Sequence, residues 1–394
     1  MNLTTLKNQN LQEVNSLLEV KGRDILTERF VSLGLPSKKS EEYRYFDVEK
    51  LLEVDYKTLN YVPKTLKVSD KIEIVDGVVV AGPQSMRIYN EPCGQIDMDH
   101  YDPLYYLGHL LSPHAIKIEL DGDVEVEIEH KYTQSDALIN YRIVLYNQVN
   151  RHATVYESFV SEDIENSLVL YGYDMHIARD SSLRVVKLQT MQDSGYAMVA
   201  SHKLNVDKNA HAVYKSFDLG GDNALQLIKV DLEERAEVDA GHLLYLNSKA
   251  KRGTVTQIVH RGAHSRSQQE AKNILDGDAR GIFDALIRVE ETGKFTKAHQ
   301  NSKAILLHDK AYMAAKPQLE IYIDELEASH GATTGQLSEK QLFYLQSRGI
   351  TRVEARKMLV IAFANTLIET VKDSRHQERI KNAFEEVFYA TNEG

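Results

Sequence analysis

The sequence predicts a mainly β protein with helical regions at both ends, and three observations support this prediction. Residues 113–327 alternate apolar and polar side chains in short runs, a pattern typical of β-strands. The chain before this region contains one amphipathic helical stripe, and the chain after it contains two more. The 394 residues are enough for roughly two or three domains. We predict an N-terminal helical and mixed region at 1–105, a β core at 106–335 and a C-terminal helical domain at 336–394.

The N-terminal region begins with a predicted helix that ends near Leu33. Gly34 followed by Pro36 is a typical signal for the end of a helix. Residues 34–46 then form a polar and aromatic connector, and residues 68–86 are strand or loop. The apolar residues of the helix are three, four or seven positions apart and therefore share one face: Leu11, Val14, Leu17, Leu18 and Ile25.

The central region is predicted to consist of short strands separated by turns. Residues 116–120 and 124–128 alternate on both sides of an Asp-Gly-Asp turn. A long stretch of such strands without a convincing helix fits a sandwich, a propeller or a β-solenoid. Periodicity does not choose among them, because we find neither the blade period of a propeller nor a tight solenoid repeat. Similar runs follow at 141–147, 154–159, 167–171, 183–190, 212–217, 224–231, 255–260 and 319–323.

The C-terminal region is predicted to be helical. The segments 338–341 and 351–354 both match the capping box, in which a hydroxyl residue precedes Glu or Gln by three positions. Gly349 separates the two boxes, and two or three helices are expected. Two apolar stripes follow the boxes: Met358, Leu359, Ala362, Phe363, Thr366 and Leu367, then Ile380, Ala383, Phe384, Val387 and Phe388.

Composition and charge exclude several classes of protein. The chain has 47 basic and 58 acidic side chains and a formal net charge of −11, which argues against nonspecific binding to nucleic acid. No window approaches the roughly 20 consecutive apolar residues of a membrane-spanning helix, and the first residues lack the pattern of a signal peptide. We therefore expect a cytoplasmic protein without a membrane or nucleic-acid partner.

The single cysteine, Cys93, limits metal and redox chemistry. One thiol allows neither an intramolecular disulfide nor a CxxC motif, and an autonomous iron–sulfur cluster or structural zinc site normally needs several thiolates. Cys93 stands in Glu-Pro-Cys-Gly, a turn-like context. A lone loop cysteine without a motif is more often incidental than a nucleophile or a shared ligand.

Common catalytic signatures are absent, since the chain has no P-loop and no GxGxxG, HExxH or GxSxG motif. His260 and His264 are four residues apart, but the Arg-Gly-Ala between them favours polar surface at a strand end over a metal site. The acidic run 324–327 is the one obvious candidate for the paired carboxylates of a carbohydrate-active enzyme, with Asp324 as a possible catalytic residue. A solvated charged turn is the favoured interpretation.

His330 is a candidate metal ligand on composition alone. It stands in Ala-Ser-His-Gly-Ala-Thr-Thr-Gly, between a predicted strand with an acidic turn and the helical region. An imidazole among small residues and near carboxylates suits a metal ligand. A histidine that is hydrogen-bonded in a strand-to-helix turn is an equally good interpretation, and the residues leave both open.

Several ordered motifs resemble the SufB/SufD family, whose members take part in iron–sulfur cluster assembly by the SUF system. Gly34-Leu-Pro36 followed by Glu41-Glu-Tyr-Arg-Tyr45, with Tyr43 where Trp is usual, is more similar to SufD than to SufB. The Ser-His-Gly-Ala-Thr stretch and the chain length favour the same branch. The motifs are Pro317–Ile321, Ser329–Gly335 and Leu342–Ile350 of the C-terminal signature, and 265–272, 281–283 and 298–307 of the core.

The resemblance implies a right-handed parallel β-helix (β-solenoid) core between helical N- and C-terminal parts. It implies a non-catalytic SufD-type subunit that pairs with a SufB-type subunit, with a homodimer possible in isolation. The C-terminal helices would dock the ATPase SufC, with Phe343, Tyr344 and Arg348 as candidate contacts. Packing against neighbouring helices is an equally good interpretation for Phe343. A SufB-like scaffold subunit and a stand-alone metal or cluster carrier are the alternative functions.

The resemblance also implies a role for His330, which matches the SufD histidine at the SufB–SufD interface. Many SufD chains have a cysteine two residues earlier, where this chain has Ala328. A thiolate ligand from this chain is therefore not expected at that position. We expect no cofactor bound stably by the chain alone, but transient iron or an iron–sulfur cluster at the partner interface, with sulfur ligands from the partner.

Overall fold

A computed structural model of the chain describes residues 3, 24–36, 43, 48–93, 101–112, 114–192, 195–220 and 223–392. The helices are α1 (Asp24–Leu33), α2 (Val48–Leu52), α3 (Pro103–Leu111), α4 (Glu339–Ser347), α5 (Arg352–Ile368) and α6 (Ser374–Asn392). The first strands are β1 (Lys57–Thr58), β2 (Lys67–Val68), β3 (Ile72–Val75), β4 (Val78–Gly82), β5 (Arg87–Pro92), β6 (His114–Leu120), β7 (Val124–Tyr132), β8 (Ala137–Asn147), β9 (His152–Ser161), β10 (Leu168–Ile177) and β11 (Ser182–Gln189). The remaining strands are β12 (Ala197–Val206), β13 (His211–Asp218), β14 (Asn223–Leu232), β15 (Glu237–Leu246), β16 (Lys251–His260), β17 (Arg266–Leu275), β18 (Arg280–Val289), β19 (Lys297–Leu306), β20 (Tyr312–Ile321) and β21 (Glu327–Gly335).

These strands wind into a β-solenoid of about seven turns, so the predicted mainly β fold is confirmed. From β6 onward the even-numbered strands pair in sheet 1, which runs from β5 to β20, and the odd-numbered strands pair in sheet 2, which runs from β2 to β21. Each coil contributes one strand to each sheet, and neighbouring coils pair in parallel. One coil takes between 26 and 32 residues, as the pairs Ala197–Asn223 and Arg280–Tyr312 show.

The turns that lead from sheet 1 to sheet 2 form a stacked column. The six turns from β8–β9 to β18–β19 each place one residue in the left-handed region of the backbone map, Asn or Asp in the first three of them. The N–H of that residue donates to a carbonyl of the equivalent turn in the next coil, for example Asn209 to Glu234 at 3.0 Å and His264 to Lys294 at 2.7 Å. Backbone groups that would otherwise be unpaired are thereby satisfied.

This turn column explains why His260 and His264 do not share a ligand. His264 occupies the left-handed position of its turn and stacks on Phe295 with a centroid separation of 5.0 Å. His260 is buried inside the solenoid, where its ring contacts the hydroxyls of Ser265 and Ser267 at 2.8 and 2.9 Å. The prediction of polar surface was therefore wrong for His260, because its side chain points inward at the end of β16.

The helices cover the outer faces of the two sheets. α3 packs on β8, β10 and β12 of sheet 1. No helix was predicted here, although Asp102 caps α3 by accepting from the Leu104 N–H at 2.8 Å and Pro103 begins it. α1 ends at Leu33, as predicted; the stripe residues Leu11, Val14, Leu17 and Leu18 lie outside the described residues.

The C-terminal helices cover the outer face of sheet 2, where α5 contacts β15 and β17. Thr351 and Glu354 form the predicted capping box at the start of α5. At the start of α4, Ser338 accepts from the Gln341 N–H. The apolar faces of α5 and α6 are buried together with outward-facing residues of sheet 2. In the part of the chain that the structure describes, no helix is long and apolar enough to cross a membrane.

Candidate functional site: the open end of the solenoid

The last coil of the solenoid is not covered by the described part of the chain. β20 and β21 are the end strands of their sheets, so each has a neighbour on one side only. None of the residues of β21 is buried, and Met313 is the one buried residue of β20. Tyr312, Ile321 and Tyr322 are exposed at the same end. Unpaired strand edges with exposed apolar side chains are typical sites of strand addition by a partner.

His330 lies on the inward side of this last coil. It is paired in register with Gln300, whose side chain is buried inside the preceding coil. Because side chains alternate along a strand, His330 and Ala328 share that side of β21. His330 itself is exposed, since no further coil covers it. The interpretation of His330 as part of a strand-to-helix turn is therefore wrong: it lies within a strand, at the open end.

The neighbours of His330 on β21 are engaged in local contacts on the outer side. Ser329 contacts the His299 ring, with 2.8 Å between Oγ and Nδ1. Glu327 forms an ion pair with Lys297 at 3.0 Å, which lowers the pKa of its carboxyl. Residues 324–326 of the acidic run form a turn, as predicted, in which Asp324 and Glu325 are exposed, and Glu327 begins β21. A ligand at His330 therefore meets one imidazole and the unpaired backbone edge of β21.

Polar side chains occupy the interior behind this end, and they were not predicted from the sequence. The Gln300 side chain donates to the Ala285 carbonyl at 3.1 Å. One coil further in, Gln269 donates to Thr256 at 2.9 Å and its Nε2 lies 3.3 Å from His242 Nε2. Burial, together with two nearby lysines, lowers the pKa of His242 to about 3. The sequence did carry a signal for these interior side chains, because polar residues stand at strand positions where alternation predicts apolar, inward-facing ones.

A second buried polar cluster joins α3 to sheet 1. Arg142 donates to the Ser201 carbonyl at 2.9 Å and to the Asp174 carboxylate at 3.1 Å. The same carboxylate accepts from the Tyr105 hydroxyl at 2.8 Å and lies 3.2 Å from the His109 ring. Burial alone would raise the pKa of Asp174, but Arg142 and His109 outweigh burial and hold it well below its usual value. This cluster attaches α3 and lies on the outer face, away from the inward side that carries His330.

The three candidate contacts on α4 form an exposed group. Phe343 is 74% exposed and Tyr344 is 57% exposed, while Leu342 beside them is buried. Packing of Phe343 against neighbouring helices is therefore excluded. The Arg348 guanidinium lies over the Tyr344 ring at 5.4 Å, which holds an aromatic and a cationic group side by side. Such groups are common at the energetic centre of protein interfaces.

Cys93 lies far along the solenoid from His330. It directly follows β5, which is the end strand of sheet 1 opposite β20. Its thiol is partly buried. Within one chain it therefore contributes no sulfur ligand beside His330.

Comparison with known proteins decides the family. Residues 130–363 match the family model described as SUF system FeS cluster assembly, SufBD core domain. The chain belongs to the SufB/SufD family. Residues 2–74 match the model of the SufBD N-terminal region, so the resemblance seen in the motifs is confirmed. The matched core contains Arg142 and Asp174, the polar interior and His330, whereas Tyr105 and His109 of the Arg142 cluster precede it.

Among SufB/SufD relatives, the chain is most like SufD. It is 29% identical over 242 residues to the iron-sulfur cluster assembly protein SufD of Escherichia coli, covering 61% of this chain and 57% of that protein. It is 26% identical over 254 residues to a SufBD family protein of Synechocystis, covering 62% and 56%. It is 26% identical over 281 residues to one from Mycobacterium tuberculosis, covering 71% and 63%. The matches thus span little more than half the length of these relatives.

Proposed function

We propose that this chain is a non-catalytic SufD-type subunit of an iron–sulfur cluster assembly scaffold. Its open solenoid end pairs with a SufB-type chain, its C-terminal helices dock a SufC-type ATPase, and iron or a nascent cluster binds transiently beside His330. The partner supplies the sulfur ligands, since Ala328 stands on the same side of β21 where a cysteine would be needed. The cytoplasm is the compartment that suits a chain with one cysteine.

The uncovered last coil is the observation that supports this proposal most directly. Two edge strands with unpaired N–H and C=O groups can each add a strand from a partner, which extends both sheets across the interface. His330 then becomes buried between the two chains, where a metal ion is shielded from water. The same surface can pair with a second copy of this chain, which is the expected arrangement when the chain is purified alone.

The docking surface on α4 is tested by replacing Phe343 and Tyr344 with alanine. We expect the affinity for the SufC-type ATPase to fall about tenfold or more, because exposed aromatic side chains dominate interface energies. Co-expression of the three subunits, affinity capture and size exclusion measure this loss. Tyr322→Ala is the matched control: it removes an exposed aromatic at the solenoid end and should weaken the SufB-type pairing but leave the ATPase bound. If the variant with both Phe343 and Tyr344 replaced retains as much ATPase as the unaltered chain does, this assignment is contradicted.

The role of His330 is tested by His330→Ala in the assembled complex. We expect the complex to form as before, because the side chain is exposed and no packing is lost, and we expect its iron content after anaerobic reconstitution to fall by at least half. His299→Ala is the control, since His299 lies one strand away with its ring on the outer side, against Ser329. If the two variants retain equal amounts of iron, His330 has no part in metal binding.

A stand-alone cluster carrier is the alternative outcome of the same reconstitution. Isolated chain that holds a spectroscopically visible cluster without a partner would favour the carrier. Failure to co-purify with either SUF partner would overturn the scaffold proposal.

A further inference from the structure

A second group of metal-ligating side chains lies where the C-terminal helices meet the solenoid. Glu125 stands on the outer side of β7, and Asp373 and His376 stand at the start of α6. One ligand atom from each of these three residues lies within 4.8 Å of the other two. The group combines a rigid strand with a helix that is 250 residues further along the chain.

The His376 ring is held in one orientation. It is only 4% exposed and stacks on Tyr156, with centroids 3.3 Å apart and planes inclined by 4°. Nδ1 lies 2.8 Å from an Asp373 carboxylate oxygen, and Nε2 lies 3.3 Å from a Glu127 carboxylate oxygen. Both ring nitrogens therefore face carboxylate oxygens, so a cation held by these carboxylates would also lie within reach of an imidazole lone pair.

Among the described residues, the carboxylates of this group outnumber the cation in direct contact with them. Glu125, Glu127 and Asp373 stand against Arg375, whose Nη2 lies 3.2 Å from Glu125 and 3.5 Å from Glu127. Arg184 and Lys372 line the adjoining cavity. The Arg375 side chain is 67% exposed, so it can turn into solvent at little cost. A divalent ion that takes its place neutralises the group more fully.

A cavity gives an ion access to two of these three side chains. Its volume is about 460 Å³, and Glu125 and Asp373 form part of its lining, whereas His376 does not. His152 and His211 line the same cavity. There is therefore room for the water molecules that complete the coordination of an ion with three protein ligands.

We propose that Glu125, Asp373 and His376 bind one divalent first-row transition-metal ion, such as Fe²⁺ or Co²⁺, with water in the remaining positions. One imidazole and two carboxylates form a mixed nitrogen and oxygen ligand set that suits such ions better than thiolate-seeking ones. Because the ligands come from β7 and α6, the ion ties the C-terminal helices to the solenoid. This site goes beyond the proposed scaffold function, because it is separate from His330 and needs no partner chain.

The test is a titration of the full chain, stripped of metal with a chelator, first with Co²⁺ and then with Fe²⁺ under anaerobic conditions. Calorimetry and visible absorption should show one equivalent bound. His376→Gln and Glu125→Gln should each weaken binding at least about tenfold, whereas Arg375→Gln should strengthen it, because a competing cation is removed. A higher midpoint of thermal unfolding with the ion present would show that it ties α6 to the solenoid.

His299→Gln is the matched control, because its ring also faces a carboxylate, Glu327, at 3.6 Å, but it belongs to no group of three ligands in the described parts of the chain. It should bind the ion as the unaltered chain does. Absence of saturable binding overturns the site, and so does unchanged affinity in the His376 and Glu125 variants. Should His376→Gln fail to fold, Glu125→Gln and Arg375→Gln decide the result, since both positions are exposed.

Discussion

Replacement of Gly172 by alanine is expected to lower the free energy of unfolding by about 3–5 kcal/mol, the range for breaking a buried ion pair. Gly172 lies in β10 directly beneath the Arg142 guanidinium. A Cβ at this position would be 1.8 Å from the Ser201 carbonyl oxygen and 2.1 Å from Arg142 Nη1. Neither atom can move freely, because Arg142 holds both Ser201 and Asp174. The substitution therefore separates a buried charge from its partners.

Gly335→Ala is the matched control for this prediction. Gly335 also belongs to a strand, as the last residue of β21, but a Cβ there would meet nothing within 4 Å. Urea unfolding followed by circular dichroism should show a much lower midpoint for Gly172→Ala and an unchanged midpoint for Gly335→Ala. Similar midpoints for the two variants would mean that the Arg142 cluster tolerates displacement and does not anchor α3.

Stability is expected to fall steeply as the pH drops below about 6.5, the usual pKa of histidine. Burial lowers the pKa of His242 and His260 to about 3 and lowers that of His202 well below its usual value. Below pH 6.5 these three histidines are protonated in the unfolded chain but remain neutral in the folded chain. The stability contributed by these three neutral rings is therefore present above pH 6.5 and is lost as the pH falls toward 3. Each ring lowers the free energy of unfolding by about 1.4 kcal/mol per pH unit below 6.5, so the three rings together lower it by about 4 kcal/mol per pH unit.

Urea midpoints measured at pH 7.5, 6.5 and 5.5 test this dependence. His242→Gln should reduce the slope by about a third, because glutamine retains polar contacts with Ser216 and Gln269 without binding a proton. His299→Gln, at a partly exposed position on the outer side, should leave the slope unchanged. Equal midpoints at pH 7.5 and 5.5 would contradict the burial of neutral imidazoles in the solenoid.

Alternation predicted β7, which has one partly exposed face, and also β14, which is buried on both faces, but it missed β12 and β15. β7 alternates between buried and partly exposed residues along most of its length, and its first half was predicted. In β12 all residues except Asn205 are buried, and in β15 the last seven are buried, so both faces accept mainly apolar or paired side chains. These strands lose the period of two because helices or the neighbouring sheet cover both faces. The solenoid repeat could not be detected in the sequence because the length of a coil varies. In addition, an interior position requires a side chain that can be buried and does not require one particular residue type.

The candidate site was predicted in part. The motif around His330 identified the residue and its family, but its place on the inward side of an uncovered coil depends on the pairing of β21 with β19. The exposure of Phe343 likewise follows from how α4 packs, with Leu342 as its buried residue. The Arg142 cluster and the proposed metal ligands Glu125 and His376 have no local signature, because their members come from separate coils or helices.

By itself, the sequence determined the mainly β class, the capping box of α5, the end of α1 and the SufB/SufD motifs around His330. These features depend on residues within a few positions of one another, so local spacing is enough to specify them. Only the tertiary structure decided which coils stack, which polar side chains meet inside, and which end of the solenoid stays open. Those outcomes depend on contacts between different strands, and the paired residues of neighbouring coils are 26–32 positions apart. Such contacts become fixed only when buried groups find partners that compensate for their desolvation.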